Sequence, residues 1–181
     1  MQFTHMPGVC SAKEAQTCAA CCRASIEFRA MTHVLLVCMA NVCRSPMACA
    51  VARQLAHTQG RASQLHFDSA GTHAHSGKRL DARAKDVLLK HRYTPPKTRS
   101  RLVTAQDFER FDLILAMDQD NLAALQRQCP VVHHGKLRLL LSYDPSLGLS
   151  EVPDPYYGDL AGFERVLRLC EAGARGLLAE L

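Results

Sequence analysis

Val34-Leu35-Leu36-Val37-Cys38-Met39-Ala40-Asn41-Val42-Cys43-Arg44-Ser45-Pro46 is the stretch that decides the fold. Four apolar residues run without a break up to Cys38, the composition of a central strand in a parallel sheet. After five intervening residues comes Arg44, and Ser45-Pro46 then opens a helix, with serine as a cap and proline in the first turn. A loop ending at a helix N-terminus offers backbone N–H groups with no intrahelical acceptor, plus the positive end of the helix dipole. Such a nest holds an anion, and the same field favours an ionised sulfur at Cys38.

Each loop position has a physical reading. Arg44 can grip two phosphoryl oxygens with its planar fork and follow them as charge rearranges, which a lysine cannot do. Asn41 is one of the few residue types that tolerate a left-handed backbone. Met39, Ala40, Val42 and Cys43 complete the phosphate-binding loop, and the Ser45 hydroxyl can donate to the Cys38 sulfur. Cys43 is open to two readings: a partner for a reversible disulfide with Cys38, or a small apolar filler under the loop. The spacing cysteine–x5–arginine alone is weak, and the plain alternative is a buried structural cysteine. The strand before it and the Ser-Pro after it give the pattern its specificity.

These residues resemble the low-molecular-weight protein tyrosine phosphatase family, and three later stretches follow in that family's order. They are Asp68-Ser69-Ala70-Gly71-Thr72, Phe111-Asp112-Leu113-Ile114-Leu115-Ala116-Met117-Asp118 and Asp154-Pro155-Tyr156-Tyr157-Gly158-Asp159. The resemblance implies a phosphotyrosine hydrolase working through a cysteinyl-phosphate intermediate, without cofactor or metal. Cys38 is the implied nucleophile, Arg44 the phosphate clamp and Asp154 the general acid. The chemistry needs such an acid independently, because a tyrosine oxygen with a pKa of about 10 leaves more readily when protonated. Pro153 and Pro155 stiffen the segment that presents it. Tyr156 and Tyr157 resemble the aromatic wall beside the substrate ring, with Met39 and His75 as further substrate contacts. A phosphotyrosine protein, such as an autophosphorylating tyrosine kinase, is the implied partner.

Three positions depart from the family pattern. Ala40 replaces a glycine, costing about 1 kcal/mol if the position needs a positive φ and little if it needs only room. Thr98 stands where a histidine often supports the loop asparagine. His75 stands in the region of a frequent tryptophan, and the chain has no tryptophan. Val42 is apolar where a protein-arginine phosphatase branch carries threonine, which leans toward an aromatic substrate. A thiol-dependent arsenate reductase of the same fold needs relay cysteines, yet none lies between Cys49 and Cys129. A phosphopeptide-binding module without catalysis would be expected to lose Cys38, Arg44 or Asp154, and all three are present.

With 181 residues, 48% of them apolar, the chain can bury one core. The net charge of +5 is mild; Lys78, Arg79, Arg83, Lys97, Arg99 and Arg101 form a candidate basic rim. Arginine and aromatic residues do not interleave as in nucleic-acid binders, and no apolar run reaches the ~18 residues of a membrane span. Nine irregularly spaced cysteines argue against a secreted disulfide framework and for a reducing cytoplasm. Residues 1–30 hold Cys10, Cys18, Cys21 and Cys22 without periodicity; the expectation is a disordered extension with no metal site, and Met31 as a second candidate start.

Beyond the loop, strand and helix patterns alternate. Strands are expected at 33–37, 65–69, 113–117 and 137–141, and helices at 46–57, 81–90, 119–128 and 160–180, with a short capped helix at Thr104–Asp107. This predicts an α/β fold over 31–181: a single domain with a four-stranded parallel sheet, helices on both faces and the phosphate-binding loop after the first strand. Ligands in such sheets bind at strand C-terminal ends, where Cys38 sits.

Overall fold

The computed structural model describes residues 31–181, and the expectations for residues 1–30 lie outside them. The elements are β1 (Thr32–Cys38), α1 (Arg44–Thr58), β2 (Leu65–Gly71), α2 (Ala82–Lys90), α3 (Ala105–Arg110), β3 (Leu113–Ala116), α4 (Gln119–Gln128), β4 (Leu137–Leu139) and α5 (Leu160–Glu180). The sheet is wholly parallel, in the order β2-β1-β3-β4. The expected architecture is therefore the observed one.

Side-chain alternation along β1 shows why both faces are covered. Val34, Leu36 and Cys38 join one core cluster with residues of α1, α2 and α5. Leu35 and Val37 point the other way, into a second cluster with Phe108, Phe111 and Leu125 from the α3 and α4 side. Period-two alternation on a strand buried on both faces requires apolar residues at every position, and Val34–Val37 are at most 1% exposed.

The apolar run 137–141 is not all strand. Pairing stops at Leu139, and a single 3-10 turn carries the chain through Leu140–Tyr143. A continued strand would send Leu140 and Leu141 to opposite faces, yet both bury in the α1/α5 cluster. Helix α5 approaches this turn closely because it has no side chain at Gly176, where a Cβ would lie 2.0 Å from the Tyr143 carbonyl oxygen.

Candidate active site

Cys38 is the last residue of β1 and Arg44 the first of α1, so the loop is clamped between two rigid elements. Ser45 does not cap the helix as expected. Cys43 holds the cap position without a side-chain bond, and the first turn has no acidic residue. The first helical bond runs from Met47 N–H to Cys43 O, leaving the earlier amides for a bound anion. The Ser45 hydroxyl is occupied elsewhere: it lies 3.1 Å from Cys38 Sγ and 3.2 Å from Ala70 O, and it accepts from Asn41 Nδ2 at 2.9 Å. With one proton, it can donate to the sulfur or to that carbonyl in turn.

Asn41 has φ 55°, the left-handed conformation expected of it, while Ala40 does not have a positive φ. The alanine is therefore unstrained. The Asn41 backbone N–H donates to Cys38 Sγ at 3.3 Å. Its side chain donates to Ser69 Oγ at 3.0 Å and accepts from Arg101 N–H at 3.0 Å. Thr98, aligned with the supporting histidine, is exposed and makes none of these contacts; Ser69, Ser45 and Arg101 do that work. Arg101 in turn binds Asp68 and Asp107, tying the loop to β2 and to the N-terminus of α3.

Arg44 is 3% exposed, and a buried guanidinium needs partners. Its Nη1 donates to Asp118 and to Val152 O, and its Nη2 donates to Asp154 at 2.7 Å. The sequence reading missed Asp118. Its only local signal is the helix cap that it forms by accepting from Asn121 N–H at 2.7 Å. Asp154 is the more exposed of the two carboxylates, at 44% against 18%. Cys43 is buried, and burial first, then the negative charges of Asp81, Cys38 and Asp154, push its pKa up to about 12. It is a neutral thiol at physiological pH, which favours the filler reading.

A cavity of about 270 Å³ gathers Cys38, Met39, Ala40, Val42, Cys43, Arg44, His75, Asp154, Tyr156 and Tyr157. It also takes in His73 and Lys78, which the sequence reading did not assign to it. The tyrosines stand edge to face, with ring centroids 5.1 Å apart. Arg83, expected on the basic rim, instead anchors their loop. It donates to Tyr156 O and Gly158 O and pairs with Asp81. Among the described residues no cluster of three metal-ligating side chains occurs, and no helix is long and apolar enough to cross a membrane.

Residues 33–181 match the family model for low molecular weight phosphotyrosine protein phosphatase. A low molecular weight protein-tyrosine-phosphatase of Streptomyces coelicolor is 44% identical over 154 residues, covering 82% of this chain and 93% of that one. A protein tyrosine phosphatase crystal structure from Entamoeba histolytica superposes with TM-score 0.80 at 35% identity, over 82% of this chain and 96% of that one. An arginine phosphatase structure also shares the fold, with TM-score 0.75 at 25% identity over 83% of this chain and 95% of that one.

Proposed function

The chain belongs to the low molecular weight phosphotyrosine protein phosphatase family and is a phosphatase, and on that premise we propose that Cys38, Arg44 and Asp154 carry the hydrolysis of phosphotyrosine. The observation that carries this reading is the seat of the sulfur. Cys38 Sγ faces the Asn41 N–H and the Ser45 hydroxyl at the mouth of a strand, in one cavity with Arg44 and Asp154.

An arriving phosphate dianion takes Arg44 Nη2 from Asp154, while Asp118 and Val152 O keep Nη1 in place. The Sγ–P bond forms as the phenolic O–P bond breaks, and Asp154 gives its proton to the departing oxygen. The loop amides and guanidinium hold the three equatorial oxygens through the transition state. Asp154 then takes a proton from the water that attacks phosphorus, and the S–P bond breaks. Met39, Val42, Tyr156, Tyr157 and His75 line the space for the ring, and the apolar Val42 suits an aromatic group better than a guanidinium. The remaining loop positions hold the phosphate by their backbone. The partner is a tyrosine-phosphorylated protein, an autophosphorylating tyrosine kinase being one such class, in a reducing cytoplasm that keeps the thiol free.

Phosphotyrosine, phosphoarginine and phosphoserine peptides assayed side by side test the substrate class, with phosphotyrosine expected to be turned over fastest. Cys38→Ser should abolish turnover and EDTA should leave it intact. Retained activity in Cys38→Ser would overturn the assignment.

A further inference from the structure

We propose that the strip formed by residues 75–79 and 97–99, which leads outward from His75 and Lys78 at the pocket, is a docking surface for acidic residues lying to one side of the substrate phosphotyrosine; this rests on the phosphotyrosine reading above. Of the basic residues singled out in the sequence, two are already neutralised. Arg83 is paired with Asp81, and Arg101 with Asp68 and Asp107. Lys78, Arg79, Lys97 and Arg99 have no carboxylate within ion-pair distance among the described residues, and neither has the nearby Lys85. All five are exposed.

Their placement continues the active-site cavity outward. Lys78 lines that cavity, and Arg79, Lys85, Lys97 and Arg99 ring an adjoining groove whose apolar sides include Leu80 and Leu89. Asp86, on the same helix as Lys85, lines neither. The strip is also held in shape. Ser100, 4% exposed, accepts from Lys78 N–H at 2.9 Å and donates to His75 O at 2.5 Å through its hydroxyl. Its backbone N–H donates to Lys78 O, and its carbonyl accepts from Gly77 N–H. Arg99 Nη1 donates to Gly77 O at 3.2 Å. A cationic surface fixed before binding loses little entropy when it takes an acidic partner.

The Asp154 side of the cavity has the other sign. A second hollow shares Asp154 with the cavity and is lined by Asp120 and Glu151, which have no ion-pair partner among the described residues, and by Asp118, which Arg44 already neutralises. A substrate with acidic residues is therefore drawn to one side of Cys38 and repelled from the other, which gives the phosphopeptide a direction.

The test uses three phosphotyrosine peptides: acidic residues before the phosphotyrosine, acidic residues after it, and a neutral control. One acidic placement should exceed the neutral peptide in kcat/KM by about tenfold, at roughly two- to fivefold per rim contact, and the other placement should not. Raising NaCl from about 50 to about 500 mM should erase the advantage. The double variant Arg79→Glu/Arg99→Glu should abolish it as well. Equal kcat/KM for all three peptides would overturn the proposal, as would an equal advantage for both placements or an equal fall on acidic and neutral peptides in the variant. Failure of the parent reading looks different: the native enzyme would then leave even the neutral phosphotyrosine peptide uncleaved.

Discussion

Asn41→Ala tests whether the loop geometry, rather than the mere presence of Cys38 and Arg44, sets the rate. The substitution puts alanine at φ 55°, where a residue with a Cβ is strained by about 1–2 kcal/mol. It also deletes the bonds to Ser45, Ser69 and Arg101, at distances of 2.9 to 3.0 Å, around a residue only 5% exposed. Each partner left unsatisfied in a buried setting costs about 1–3 kcal/mol, so keeping the native loop would cost at least about 4 kcal/mol. That exceeds what one loop can bear, and the backbone should relax out of the left-handed conformation. Relaxation turns the residue-41 N–H away from Cys38 Sγ, and kcat on nitrophenyl phosphate should fall by about 10²–10³, the scale of a lost oxyanion donor. Asn41→Gly separates the causes, because glycine keeps φ 55° without strain but still lacks the side-chain bonds. It should recover part of the stability, read by urea midpoint, and more of kcat than of stability, because the backbone N–H can keep its aim at Cys38 Sγ. If Asn41→Ala stays within about fivefold of native kcat while its urea midpoint falls, the geometry does not set the rate and the reasoning fails.

Two further outcomes follow from the same contacts. Asp154→Asn should slow hydrolysis of phenyl phosphate by about 10²–10³ but spare nitrophenyl phosphate by comparison, because a better leaving group needs no proton; equal losses on both esters would remove Asp154 from the acid role. Asp81 is held below the usual carboxylate range by hydrogen bonds from Arg83 against an opposing effect of burial. For Asp107, burial acts upward, but hydrogen bonds from Arg101 and Thr104 outweigh it and leave a depressed value. Both carboxylates are thus more easily ionised folded than unfolded, so they add stability above about pH 4 that is lost as pH falls through the folded values. The urea midpoint should drop between about pH 5 and about pH 3, and Asp107→Asn should flatten that slope; an unchanged slope would show that Asp107 contributes nothing.

The parts legible in the sequence are those with local causes. The Val34–Val37 run, the Gln119–Gln128 helix and the Leu160–Glu180 helix follow from apolar pattern and caps, and their observed bounds agree closely. Tyr156, Tyr157 and His75, placed by resemblance, do converge on one cavity with Cys38. The illegible parts join residues far apart in the chain. Nothing near Arg44 says that Asp118, 74 positions away, would claim one end of its guanidinium. Nothing near Asn41 says that Arg101 N–H would replace an expected side chain at position 98. Charge count alone also could not divide the basic rim, because Arg83 and Arg101 are spoken for only once the chain has folded. The last strand fell short because five leucine-rich residues suit a strand or a buried turn equally well.

The inner position of β1 in the sheet has a bearing on how the enzyme fails. Amides in a strand flanked on each edge and covered above and below exchange with solvent only when the whole domain opens, whereas border strands and loops loosen earlier. Cys38, the proposed nucleophile, thus rides on one of the segments last to come apart. Asp154, the proposed proton donor, hangs from a loop outside the sheet, fastened to the end of the other inner strand, β3, through the Val152 N–H to Met117 O bond. On the proposed roles, gentle loosening of the molecule should therefore silence turnover of phenolic esters while the sulfur still keeps its place.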